Sequence, residues 1–197
     1  MKTCRMLAAT TRLVGDRAGI AAVEFALLLP VLFTLFIGSY ETSYLLLTYL
    51  KLEAAAEAAA DLVAQTNVST VLAAADFTYI SAAVDLVMTP LSTSGLKIAY
   101  ASVTYNTGSA KIDWHYEVNS ATPLTIATLP NGVNAASLGN ATAGSSDSVI
   151  VVQLTYPYTS PISNYLSQSF TLYESAFNRP RYVTCVPTTM NTNSVCP

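Results

Sequence analysis

Apolar residues fill the chain from Ala18 to Tyr40, 23 positions in which Glu24 is the only formal charge. As a helix rising about 1.5 Å per residue this is roughly 35 Å, enough for one passage through a bilayer core. Beyond it, Leu45, Tyr49, Leu52, Ala56, Ala59 and Val63 recur at alternating spacings of four and three. That period predicts a helical stem with one packing seam, rich in alanine from Ala54 to Ala60. Glu53, Glu57 and Asp61 stand at i, i+4 and i+8 on another face, which reads as a solvated acidic face or as a docking stripe for a basic partner.

Thr66 to Thr70 interrupts this period, and Ser69 or Thr70 offers an N-cap for a second helix. Phe77, Ile80, Val84 and Val87 form its seam, and Pro90 ends it. From Leu96 the period becomes two. Ile112, Trp114, Tyr116 and Val118 alternate with Lys111, Asp113, His115 and Glu117, predicting a half-buried antiparallel strand with a charged outer face. Leu96 to Tyr105 reads as its hairpin partner across Asn106-Thr107-Gly108-Ser109. Ser148 to Tyr156 and Ser169 to Phe177 supply two more strands, the first nearly all apolar and therefore central. Ser120 to Asp147, rich in Gly, Asn and Thr, reads as a long exposed excursion. The expected fold class is α+β: a long transmembrane and stem helix, a second helix and a small antiparallel sheet of about four strands.

Charge fixes the orientation expected of the apolar segment. Lys2, Arg5, Arg12 and Arg17 precede it against Asp16, so the N-terminus stays cytoplasmic and the remainder is exported. An ordinary secretory signal shares the basic start, but this apolar run is longer than a typical signal core and no clear small-x-small cleavage site follows it. A carboxylate at membrane depth costs a few kcal/mol at least, so Glu24 needs a reason for being there. The plain alternative is a carboxyl that stays protonated or reaches the headgroups.

The run Gly19-Ile20-Ala21-Ala22-Val23-Glu24-Phe25, continued by Ala26-Leu27-Leu28-Leu29-Pro30 and preceded by a basic leader, resembles the processing region of TadE/TadG-like minor pseudopilins of the Tad (Flp, type IVb) pilus system. The resemblance implies cleavage by a prepilin peptidase after Gly19, leaving Ile20 as the new N-terminus, Glu24 fifth and Phe25 sixth. Met88-Thr89-Pro90-Leu91, Asp113-Trp114, Tyr156-Pro157-Tyr158 and Asn178-Arg179-Pro180-Arg181 extend the likeness more loosely through the exported part. On this reading residues 1–19 are the leader, 20–66 the transmembrane and stem helix, and 67–197 a pilin-like head with a long loop at 120–147 and a C-terminal disulfide loop.

Cleavage would take the formal charge from −3 to −6 by removing Lys2, Arg5, Arg12, Arg17 and Asp16. A chain so poor in basic residues is not expected to bind nucleic acid. Glu24 would meet the freed amine of Ile20, on its own chain or a neighbour's, because an unpaired buried charge is costly. Pro30 removes a helix donor and crowds the Ala26 carbonyl, giving either a tolerated kink or a flexible point for extraction from the bilayer. Cys4 faces the reducing side, whereas Cys185 and Cys196 lie in the exported part, where thiols oxidise, and are expected to pair.

His115, the sole histidine, has Asp113 two positions before it on the same expected strand face. A base and its orienter would still need a nucleophile and an oxyanion site, and no hydrolase, phosphate-loop, zinc-protease or dinucleotide motif occurs. The expectation is therefore no catalytic residue, no metal and no cofactor. Arg179 and Arg181 are expected to pair with the acidic stem or with an anionic partner. The expected partners are a prepilin peptidase, other pilin or pseudopilin subunits through the N-terminal helix, the inner-membrane assembly platform and membrane lipid. The expected place is the bacterial inner membrane with the head periplasmic, or an extracellular pilus. Two other readings remain: an uncleaved membrane scaffold of a pilus or secretion machine, separated by whether a mature peptide begins at Ile20, and an anchored surface adhesin.

Overall fold

A computed structural model describes residues 18–67, 71–106, 109–130, 148–162 and 169–189. Helix α1 runs Ala18–Ala64 without a break at Pro30 and is followed by α2, Ala74–Met88. Four strands follow among the described residues: β1 (Lys97–Asn106), β2 (Ser109–Val118), β3 (Ser148–Thr159) and β4 (Ser169–Asn178). They form one antiparallel sheet in the order β2-β1-β3-β4, so the apolar β3 is indeed internal. This is the expected α+β architecture. Contacts divide the chain into two units at Tyr44 and Leu45, which gives the second half of α1 to the head.

In the head, α1 buries Leu52, Ala55, Ala56, Ala59, Ala60, Val63 and Ala64. The seam is thus one position off the expected one at its start, for Thr48 is buried whereas Tyr49 is exposed. In α2 the buried positions are Phe77, Ile80, Val84 and Met88, with Met88 replacing the expected Val87. Its N-cap is Ala73, whose N–H donates to the Asp76 carboxylate at 2.8 Å; the expected caps Ser69 and Thr70 lie outside the described residues. The Lys51 ammonium donates to the Val87 carbonyl, joining the two helices. The Phe77 ring lies 4.9 Å from Tyr100 and 5.9 Å from Trp114, close enough for aromatic pairing to add to burial.

The opposite sheet face is also covered. Ala99, Ala101, Val103, Val149 and Val151 form a second cluster with Leu124, and Ala121 and Leu129 pack against it. The described start of the expected 120–147 excursion is thus mostly exposed, as expected, but lays Leu124 on the sheet, and residues 131–147 lie outside the description. Burial of the Leu124 side chain explains this one point of attachment, since an apolar side chain gains by leaving water while its polar neighbours stay in it.

Candidate functional site

In the unit that ends at Tyr44 every described position of the strongest apolar window is open to its surroundings, and the window has no buried residue. One helix here is long and apolar enough to cross a membrane. The serine and threonine hydroxyls along it are satisfied internally: Thr34 donates to the Pro30 carbonyl at 2.8 Å, Thr42 to Gly38 at 2.8 Å, Ser43 to Ser39 at 2.8 Å and Ser39 to Phe36 at 2.9 Å. A hydrocarbon solvent requires such internal pairing, because it offers no partner of its own.

Gly19, Ile20, Glu24, Phe25 and Pro30 all stand on this helix. Ile20 and Phe25 are more than half exposed, and a Cβ at Gly19 would meet nothing within 4 Å. Ile20 and Glu24 are one turn apart on one face, about 6 Å along the axis. Among the described residues Glu24 makes no hydrogen bond and no ion pair.

The family model of TadE-like proteins matches residues 19–61. The N-terminal segment is TadE-like. The match begins at Gly19, takes in the rest of the apolar run to Tyr40 and ends within the stem, before α2 and the sheet. No curated protein and no solved structure matches the chain at a significant level. The TadE-like segment ties the protein to the Tad pilus system and, in general terms, to other pilus components.

The head beyond the TadE-like segment holds the other residues singled out from the sequence. Arg181 pairs with Asp61, and its backbone N–H donates to the Ala64 carbonyl at 2.9 Å, so the expected link between this arginine and the acidic stem is present. Asp113 and His115 do not form a base and orienter pair. A register shift in the β1–β2 ladder at Ser102 and Val103 makes Ser102 face Trp114 and Val103 face Ile112, leaving Asp113 as the extra residue of a bulge. The bulge places Asp113 inside, where its carboxylate accepts from the Thr104 hydroxyl and, at 3.4 Å, from Ser102. Asp113 is 1% exposed, which corrects the charged outer face expected of it. Burial pushes its pKa above the usual carboxylate value, opposed by the Thr104 hydrogen bond, the Lys111 charge and the Ser102 hydrogen bond. His115 instead lies 2.5 Å from Glu117, through Nδ1.

Ser102 and Thr104 carried the signal for this site. They share a face of β1 with the apolar Ile98 and Tyr100, and two hydroxyls on an inward face need a buried acceptor. Cys185 is buried and disulfide-bonded, with Sγ 3.7 Å from the Asp113 carboxylate, and Cys196 lies outside the described residues. The segment around Cys185 is tied down at several points. The Trp114 indole N–H donates to the Val186 carbonyl at 2.8 Å, Ser148 donates to Thr184, and Leu72 exchanges backbone bonds with Pro187 and Thr189.

Proposed function

We propose that the protein is a minor, pilin-like subunit of the Tad pilus, inserted with its leader in the cytoplasm and cut after Gly19 by a prepilin peptidase. The mature helix then packs beside other pilin or pseudopilin helices at the inner-membrane assembly platform, with lipid as its solvent until it does. Its role is structural, with no catalytic residue, and the size of the head favours a minor subunit at the tip or base over the repeating body of the fibre. Before export into a filament the head would sit in the periplasm, stabilised by a Cys185–Cys196 bridge of about 2 to 3 kcal/mol.

The observation that carries this reading is the coincidence of the TadE-like match with an open apolar run whose only charge, Glu24, has no hydrogen bond or ion pair among the described residues. After cleavage the Ile20 amine would supply the missing positive charge, one turn from Glu24 or on the adjoining subunit. Mapping the N-terminal peptide of membrane-fraction protein tests the processing step: a peptide beginning at Ile20 is expected, and Gly19→Ala should abolish it. Glu24→Gln should leave the cut intact while reducing recovery with sheared pili, and normal recovery would refute the pairing.

A further inference from the structure

The head contains a cleft of about 680 Å³ that plays no part in the pilus reading. It is lined on one side by Glu53, Glu57 and Asp61 of α1 and on the other by the consecutive residues from Glu174 to Asn178 of β4. Consecutive strand residues point to alternate faces, so five in a row can line one cleft only if it runs along the backbone edge of the strand. Among the described residues β4 has a strand neighbour on one side only, β3. The cleft therefore borders the unpaired edge of the sheet. One end is fixed by Arg181 on Asp61, and toward the other the Glu174 charge pushes the pKa of the Tyr49 hydroxyl up. Between them Glu53 and Glu57 are exposed and make no hydrogen bond or ion pair among the described residues.

We infer that this edge and the acidic face of α1 form a docking slot for an extended, basic segment of a partner polypeptide. The outer backbone groups of β4 would pair with an added strand, the Ser175 N–H giving up its 3.3 Å bond to the Glu174 carboxylate, which supplies affinity without regard to sequence, and the Glu53 and Glu57 carboxylates would select lysine or arginine on it. A chelated cation suits the slot less well, since no three acidic side chains among the described residues converge as metal ligands. Two glutamates one helical turn apart, facing a strand edge, match a line of positive charges and not a point.

The slot is independent of whether the leader is cut, so its failure and that of the pilus reading are separable. The test is calorimetric titration of the full chain in detergent micelles with a peptide of alternating lysine and valine. Binding is expected, weakened about tenfold by the double substitution Glu53→Gln with Glu57→Gln, as for loss of two screened but directed charge contacts. Both positions are exposed, so the variant should fold, and its melting curve checks this. The same peptide methylated on alternate backbone nitrogens, at the groups that would face β4, should not bind. Equal binding of the methylated peptide would mean charge attraction without strand pairing and would overturn the inference. So would unaltered binding to the double variant, or no binding at all, in which case the glutamates act only to keep the edge from pairing.

Discussion

The two halves of α1 have similar helical backbones and opposite side-chain economies. Up to Tyr44 the large apolar groups point outward and nothing of the strongest apolar window is covered, whereas from Leu45 the apolar and alanine positions are buried in a core that the head itself supplies. The first half is helical because its backbone bonds are internal and its hydroxyls fold back onto it, which suits an apolar solvent. The second is helical because one face is buried in tertiary contact, the usual source of helix stability in water. One continuous element thus has a half that needs an environment and a half that brings its own.

The sharpest way to break this comparison is to cut the helix between them. A fragment beginning at Leu45 should stay soluble without detergent and unfold in one cooperative transition, while the full chain should aggregate unless detergent is present; a fragment that fails to fold would show that the head depends on the apolar half. Next in size is Phe77→Ala, which removes the ring shared by Tyr100 and Trp114 and should cost the head about 3–5 kcal/mol in denaturant titrations. The apolar half should still insert in membranes.

Asp113→Ala strands the hydroxyls of Ser102 and Thr104 in the core and should cost about 1–3 kcal/mol. Asp113→Asn keeps an acceptor without the charge, and its effect depends on pH. Because folding raises this pKa, the contribution of Asp113 to stability is fully present below its unfolded value, about 3.9, and is lost as pH rises through the folded value. The melting temperature of Asp113→Asn should therefore exceed that of the parent at neutral pH, by a margin that shrinks on acidification. The smallest effect is expected from Arg181→Ala, at about 0–1 kcal/mol, because its ion pair with Asp61 is largely solvated.

The sequence made the apolar half legible because a bilayer asks only for length and polarity, and these are properties of consecutive residues. In the head the period-two segments marked the strands and the apolar Ser148–Tyr156 run marked the internal one, since local alternation follows directly from which faces are covered. What local pattern could not carry was the bulge at Asp113. A single extra residue reverses the facing of everything on one side of it, and its position is set by hydroxyls on a different strand. The covering role of Leu124 was hidden for a similar reason: its segment has a loop's composition, and the buried surface it seals comes from β1 and β3, two strands far apart in the chain. Glu174 likewise gains its meaning only where β4 runs beside α1, a juxtaposition that neither segment announces.

The indole held against Val186 is the only one in the chain. Intrinsic fluorescence excited in the red edge of protein absorption would consequently come from one known place, next to the strap that carries Cys185. Release of that strap would admit water to the ring and move its emission to longer wavelength, giving an unlabelled optical signal for the state of the C-terminal region in intact membranes.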